Sequence, residues 1–84
     1  MTETTHEPNL LRAIAKLKPE GPDAWCAPLM PAEIVALADA GAVPTLESHV
    51  IRARESVAKG EGLTTWFYFT PGKELRARIL KATT

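Results

Sequence analysis

Prolines and glycines cut this chain into segments that each have room for one helix or one strand. Seven Pro and five Gly are spread through 84 residues, and they fall between runs of apolar spacing, where their backbone restrictions act as stops and turns. Met1 to Pro8 is polar and rich in Thr and Glu, which predicts a flexible tail and leaves residues 9–84 as a single domain. Asn9 makes a good N-cap, and Leu10, Leu11, Ile14 and Leu17 follow at helical spacing with Arg12 and Lys16 opposite. A first helix is expected over Leu10 to Lys18, stopped by Pro19. Glu20 to Asp23 reads as a turn, and Ala24 to Leu29, interrupted by Pro28, as one short edge strand. Pro31 suits the first turn of a second helix, Glu33 adds favourable charge there, Ile34, Leu37 and Ala38 form its apolar stripe, and Gly41 ends it after Ala40. Gly41 to Pro44 is then a tight helix-to-helix turn, with Thr45 as the next cap.

The third helix has the clearest periodicity, because Leu46, Val50, Ala53 and Val57 lie at i, i+4, i+7 and i+11. They are expected as its core face. The opposite face collects Ser48, Arg52, Glu55 and Lys59, flanked by Glu47, Ile51 and Arg54 on one side and by His49 and Ser56 on the other, until Gly60 and Gly62 end the helix. Leu63 to Thr70 is dense in aromatic and β-branched residues, while Glu74 to Leu80 alternates polar and apolar. Two antiparallel strands joined by a Pro71-Gly72 turn are expected. A two-residue loop pairs Tyr68 with Leu75, Trp66 with Ala77 and Thr64 with Ile79, whereas a three-residue loop turns Phe67 and Phe69 inward instead. Trp25 and Trp66 are expected as core anchors.

Charge and motif content narrow the function. Ten Lys and Arg balance ten Asp and Glu, which excludes a wholesale polycation. The balance hides an asymmetry. Through residue 50, seven acids (Glu3, Glu7, Glu20, Asp23, Glu33, Asp39, Glu47) oppose Arg12, Lys16 and Lys18. From residue 51, seven bases (Arg52, Arg54, Lys59, Lys73, Arg76, Arg78, Lys81) oppose Glu55, Glu61 and Glu74, so the halves carry −4 and +4. Such polarity predicts a surface for an anionic partner, nucleic acid being the commonest. Cys26 is the one cysteine, so no intramolecular disulfide forms, and its thiol reads as packing material. No apolar run approaches the length of a membrane helix, no signal-like segment leads the chain, and a cytoplasmic protein without membrane contact is expected. His6, His49 and Cys26 have no metal-ligand spacing, and neither a phosphate loop nor a nucleophile triad is present. The chain is therefore expected to be no enzyme, with no metal, cofactor or small-molecule substrate. A core this small is marginal, which makes a homodimer an expectation too.

Helix, short strand, helix, tight turn, helix and hairpin is an order that resembles winged-helix domains. The resemblance rests on Met30 to Gly41, on the helix from Thr45 to Gly60 and on the hairpin from Leu63 to Leu80. It implies an α+β fold of three helices with a C-terminal two-stranded wing, and a small DNA-binding regulator of phage or bacterial type that acts on duplex DNA. By resemblance, Ser48, His49, Arg52 and Lys59 on helix three contact bases or phosphates. Lys73 at the wing tip, with Arg76 and Arg78 on its strand, then faces phosphates. The same scaffold also serves protein-binding modules, such as small phage inhibitors of host machinery or subunits of larger complexes. Zero net charge and Glu47 favour that alternative, in which the partner is a host protein.

Overall fold

The aromatic run organises the molecule, because alternate residues of one strand face opposite sides of a sheet. The computed structural model describes residues 2–82. Within them lie α1 (Thr2–Lys16), β1 (Lys18–Pro19), β2 (Trp25–Leu29), α2 (Pro31–Asp39), β3 (Ala42–Pro44), α3 (Glu47–Lys59), β4 (Thr65–Pro71) and α4 (Lys73–Ala82). The fold is α+β, with four helices and a four-stranded antiparallel sheet in the order β1-β2-β4-β3. In β4, Phe67, Phe69 and Pro71 turn inward while Trp66, Tyr68 and Thr70 stay exposed. Phe67 and Phe69 stack on each other and meet Ala27 and Trp25 of β2 across the ladder. Leu10, Ala13 and Ile14 of α1, Ile34 and Leu37 of α2, Val50 and Ala53 of α3, and Leu75 and Ile79 of α4 complete one core. Helices thus cover one face of the sheet and leave the other open.

The C-terminal half departs from the expected hairpin. Residues from Lys73 onward form α4, not a second strand, so Pro71 and Gly72 make a strand-to-helix junction and the wing is absent. Glu-Leu-Arg-Ala-Arg-Ile-Leu satisfies two periods at once, since Leu75, Ala77 and Ile79 alternate while Leu75 and Ile79 are also four apart. The helical period wins because Glu, Leu, Arg, Ala and Lys are strong helix formers and Leu75 and Ile79 alone reach the core. The junction is tight: the Gly72 amide donates to the Gly41 carbonyl at 2.9 Å, and a Cβ on Gly72 would sit 3.2 Å from that oxygen. The strand expected before it is β4, and Phe67 and Phe69 do face inward, as the three-residue-loop alternative had them.

Three smaller departures have local causes. The first helix starts at Thr2, not Leu10, and so takes in the expected tail; Glu7 pairs with Arg78 of α4, which gives that added stretch something to dock on. Asn9 lies inside this helix, where its side-chain oxygen accepts from Arg12. The helix also ends at Lys16, because Lys18 and Pro19 pair with Cys26 and Trp25. That makes β2 an interior strand where an edge was expected. In α3, Val50 and Ala53 are buried but Leu46 and Val57 are about half exposed, since the nine-residue α2 supports only the middle of the thirteen-residue α3. The expected boundaries of the second helix hold closely: Pro31 opens it, the Met30 amide donates to Glu33 Oε1 at 2.8 Å, and Gly41 takes a φ of 112° beyond its end.

Candidate nucleic-acid interface

α3 is the element that gathers the expected contact residues. It is held on α2 by Val50 and Ala53 and by an ion pair from Arg54 to Asp39 at 2.8 Å, which fixes its rotation about its own axis. With 100° between residues, Ser48, Lys59, Arg52, Ser56 and His49 then fall on one side, within about 100° of arc. Every one of these side chains can donate a hydrogen bond and none is an acid. Glu55 borders the stripe, whereas Glu47 lies on the far flank beside Ile51. Ser48, Arg52 and Lys59 are exposed; His49 and Ser56 are half-buried.

On the inner margin of that stripe lies a cleft of about 300 Å³ between α3 and the start of β4. His49, Arg52 and Ser56 line one wall, Leu63, Thr64 and Thr65 the other, and Pro31, Ile34 and Ala53 the floor. The lining contains no carboxylate. Thr64 is engaged, its hydroxyl lying 3.5 Å from the Met30 sulfur. Ser56 and Thr65 were legible in part: Ser56 stands four residues after Arg52 and seven after His49, but Thr65 reaches the cleft only because β4 returns past α3.

Lys73, Arg76 and Arg78 do not join this surface. β4 is seven residues long, so its far end, where α4 begins, is on the order of 20 Å from the cleft. Arg76 pairs with Asp23 at 3.0 Å and Arg78 with Glu7 at 2.6 Å. The expectation that they face phosphates from a wing strand fails with the wing itself. These pairs also recast the charge asymmetry, because Arg54, Arg76 and Arg78 of the basic half each meet an acid of the other half. Three of the seven bases counted from residue 51 are thereby neutralised within the fold. Arg52 and Lys59, by contrast, have no ion-pair partner among the described residues.

The open sheet face is a second distinct surface. Trp66 is 50% exposed and Tyr68 41% exposed, their rings stacked 6.3 Å apart. Trp25 is the core anchor that was expected, but Trp66 is not. Pro28 lies opposite Trp66, Cys26 opposite Tyr68 and Val43 opposite Thr70, so the patch is largely apolar. Cys26 itself is buried, with its thiol 3.4 Å from Glu20 Oε2; burial first, then that carboxylate, push its pKa above the ordinary value of 9.0. Among the described residues no helix is long and apolar enough to cross a membrane. Comparison with protein families, curated proteins and solved structures finds no match, so geometry alone supports a functional reading.

Proposed function

We propose that this chain is a small regulator that binds duplex DNA through the donor-bearing side of α3. The observation that carries the reading is the donor-bearing stripe of Ser48, His49, Arg52, Ser56 and Lys59, with Glu55 at its border, presented on a helix whose buried face, Val50 and Ala53, is fixed by α2 and the sheet. Donors suit both phosphate oxygens and the acceptor-rich edges of the major groove, and an arginine fork suits guanine. In this reading α1 and α2, with the four-stranded sheet, act as the scaffold that presents α3. Glu55 at the border of the stripe limits non-specific affinity and favours a defined site.

Fluorescence anisotropy with labelled duplex, at low salt and at physiological salt, tests this. Non-specific binding with a Kd of about 10⁻⁴ to 10⁻⁶ M at physiological salt is expected, tighter below it. Arg52→Ala should cost about 1 to 3 kcal/mol on a preferred sequence. No duplex binding by the folded protein at low salt overturns the proposal.

The exposed Trp66 and Tyr68 favour one further reading, a module that holds a host protein or a second copy of itself on the open sheet face. Stacked aromatics of this kind are common anchors of interfaces. Sedimentation of the wild type against a Trp66→Ser/Tyr68→Ser variant separates the cases: a dimer lost in the variant supports self-association, while duplex binding that persists in the variant keeps the two surfaces apart.

A further inference from the structure

We infer that the cleft between α3 and the start of β4 is a binding site for a phosphate-class oxyanion. The site shares His49, Arg52 and Ser56 with the stripe proposed to meet duplex and extends that surface into a recess beside the helix.

Its chemistry points to one kind of occupant. Arg52 supplies a permanent positive charge, and it stands apart from the other arginines after residue 50: Arg54, Arg76 and Arg78 each have a carboxylate partner, whereas Arg52 has none among the described residues. The half-buried His49 and Ser56 and the exposed Thr65 line the same recess, so several side chains able to donate border it and none of its lining residues is an acid. Such a set is poorly suited to a cation or a neutral apolar ligand. The buried Ile34 and Pro31 of α2 form an apolar floor, which excludes water on one side and strengthens charge-assisted hydrogen bonds. A volume of about 300 Å³ exceeds one phosphate and matches a phosphate with a sugar or base attached, at the small end of ligand sites. A duplex backbone and a free phosphorylated metabolite both offer that group.

Amide and side-chain NMR on the intact protein, titrated with inorganic phosphate and with thymidine monophosphate at constant ionic strength, tests the site. Saturable shifts confined to His49, Arg52, Ser56 and Thr65 are expected. Arg52→Gln, an exposed position where the fold should persist, should weaken binding about tenfold or more, Thr65→Val should weaken it less, and Lys81→Gln on α4 should leave it unchanged. Shifts that are absent, that scatter over the surface lysines, or that survive Arg52→Gln overturn the inference. The two sources separate in a competition arm. Duplex that displaces phosphate from these signals assigns the site to the DNA backbone, and thymidine monophosphate that binds where duplex does not assigns it to a free ligand. Phosphate binding without duplex binding removes the DNA reading and leaves the site standing, while duplex binding with no phosphate response removes the site and leaves the reading.

Discussion

Glu33 is the one charged side chain among the described residues that is buried, and its position follows from two local needs. Its Oε1 takes the Met30 amide at the start of α2, and both of its oxygens lie 2.9 Å from the Lys16 ammonium at the end of α1. The first contact was legible, since an acid in a first helical turn favours the positive end of the helix. The second joins residues 17 apart and emerges only when α1 packs on α2. Because Lys16 is 43% exposed, it can return to water, so Glu33→Ala should cost about 2 to 3 kcal/mol and not the larger sum for a fully buried pair. Glu33→Gln keeps an acceptor for the Met30 amide and should cost less; equal urea midpoints for the two would show that the cap contributes nothing. Cys26 gives a pH dependence. Its folded pKa is raised above 9.0, so the folded protein holds this proton to higher pH than the unfolded chain does. The resulting stability is complete below the unfolded pKa and is lost as pH rises through the folded one. Urea midpoints should therefore fall more between neutral pH and about pH 10 in wild type than in Cys26→Ala, with other titrating groups common to both.

At the scale of elements, what the sequence showed best was where segments begin and end. Pro31, Gly41 and Gly60 mark the limits of α2 and α3 almost to the residue, and Gly60 takes the left-handed φ of 77° that a helix end commonly needs. Gly60→Ala should cost about 1 kcal/mol for that reason alone, since open space surrounds the position. Less legible was which of two compatible periods a segment would adopt. The choice between strand and helix in Glu74 to Leu80 depends on whether Ala77 or only Leu75 and Ile79 meet the core, which is a tertiary fact. The burial of a stripe also depends on what lies beneath it. Val50 and Val57 share one face of α3 by spacing, yet Val50 is 8% exposed and Val57 46%. Val50→Asp should unfold the domain by placing an unpaired carboxylate against Ala53 and α2. Val57→Asp should change the melting temperature little, and a large loss there would mean that the last turn of α3 packs against something beyond this fold. Pro19 in β1 and Pro44 in β3 occupy the two edges of the sheet, where a missing N–H discourages pairing with another chain's strand.

At the scale of the whole molecule, the opposite charges of the two halves turn out to serve two purposes that the sequence could not separate. Arg54, Arg76 and Arg78 cross from one half to the other and are neutralised by Asp39, Asp23 and Glu7, whereas Arg52 and Lys59 remain on the outer side of α3. A net charge of +4 after residue 50 therefore overstates what an anionic partner meets. Four of the seven expected contact residues, Ser48, His49, Arg52 and Lys59, share one side of one helix, and three do not. Under the DNA proposal this predicts an asymmetry among substitutions of equal formal charge. Arg52→Ala should weaken every duplex and reduce the slope of log affinity against log salt by about one unit if it meets a phosphate. Arg76→Ala and Arg78→Ala remove the same charge from α4, beyond the far end of β4, and should leave both affinity and slope nearly unchanged. Each should lower stability by less than about 1 kcal/mol, because both ion pairs are exposed and screened. Salt-dependent anisotropy on the three variants decides the matter: parallel losses of affinity and slope for all three would mean that duplex wraps around α4 as well, and that the stripe on α3 is only part of the contact.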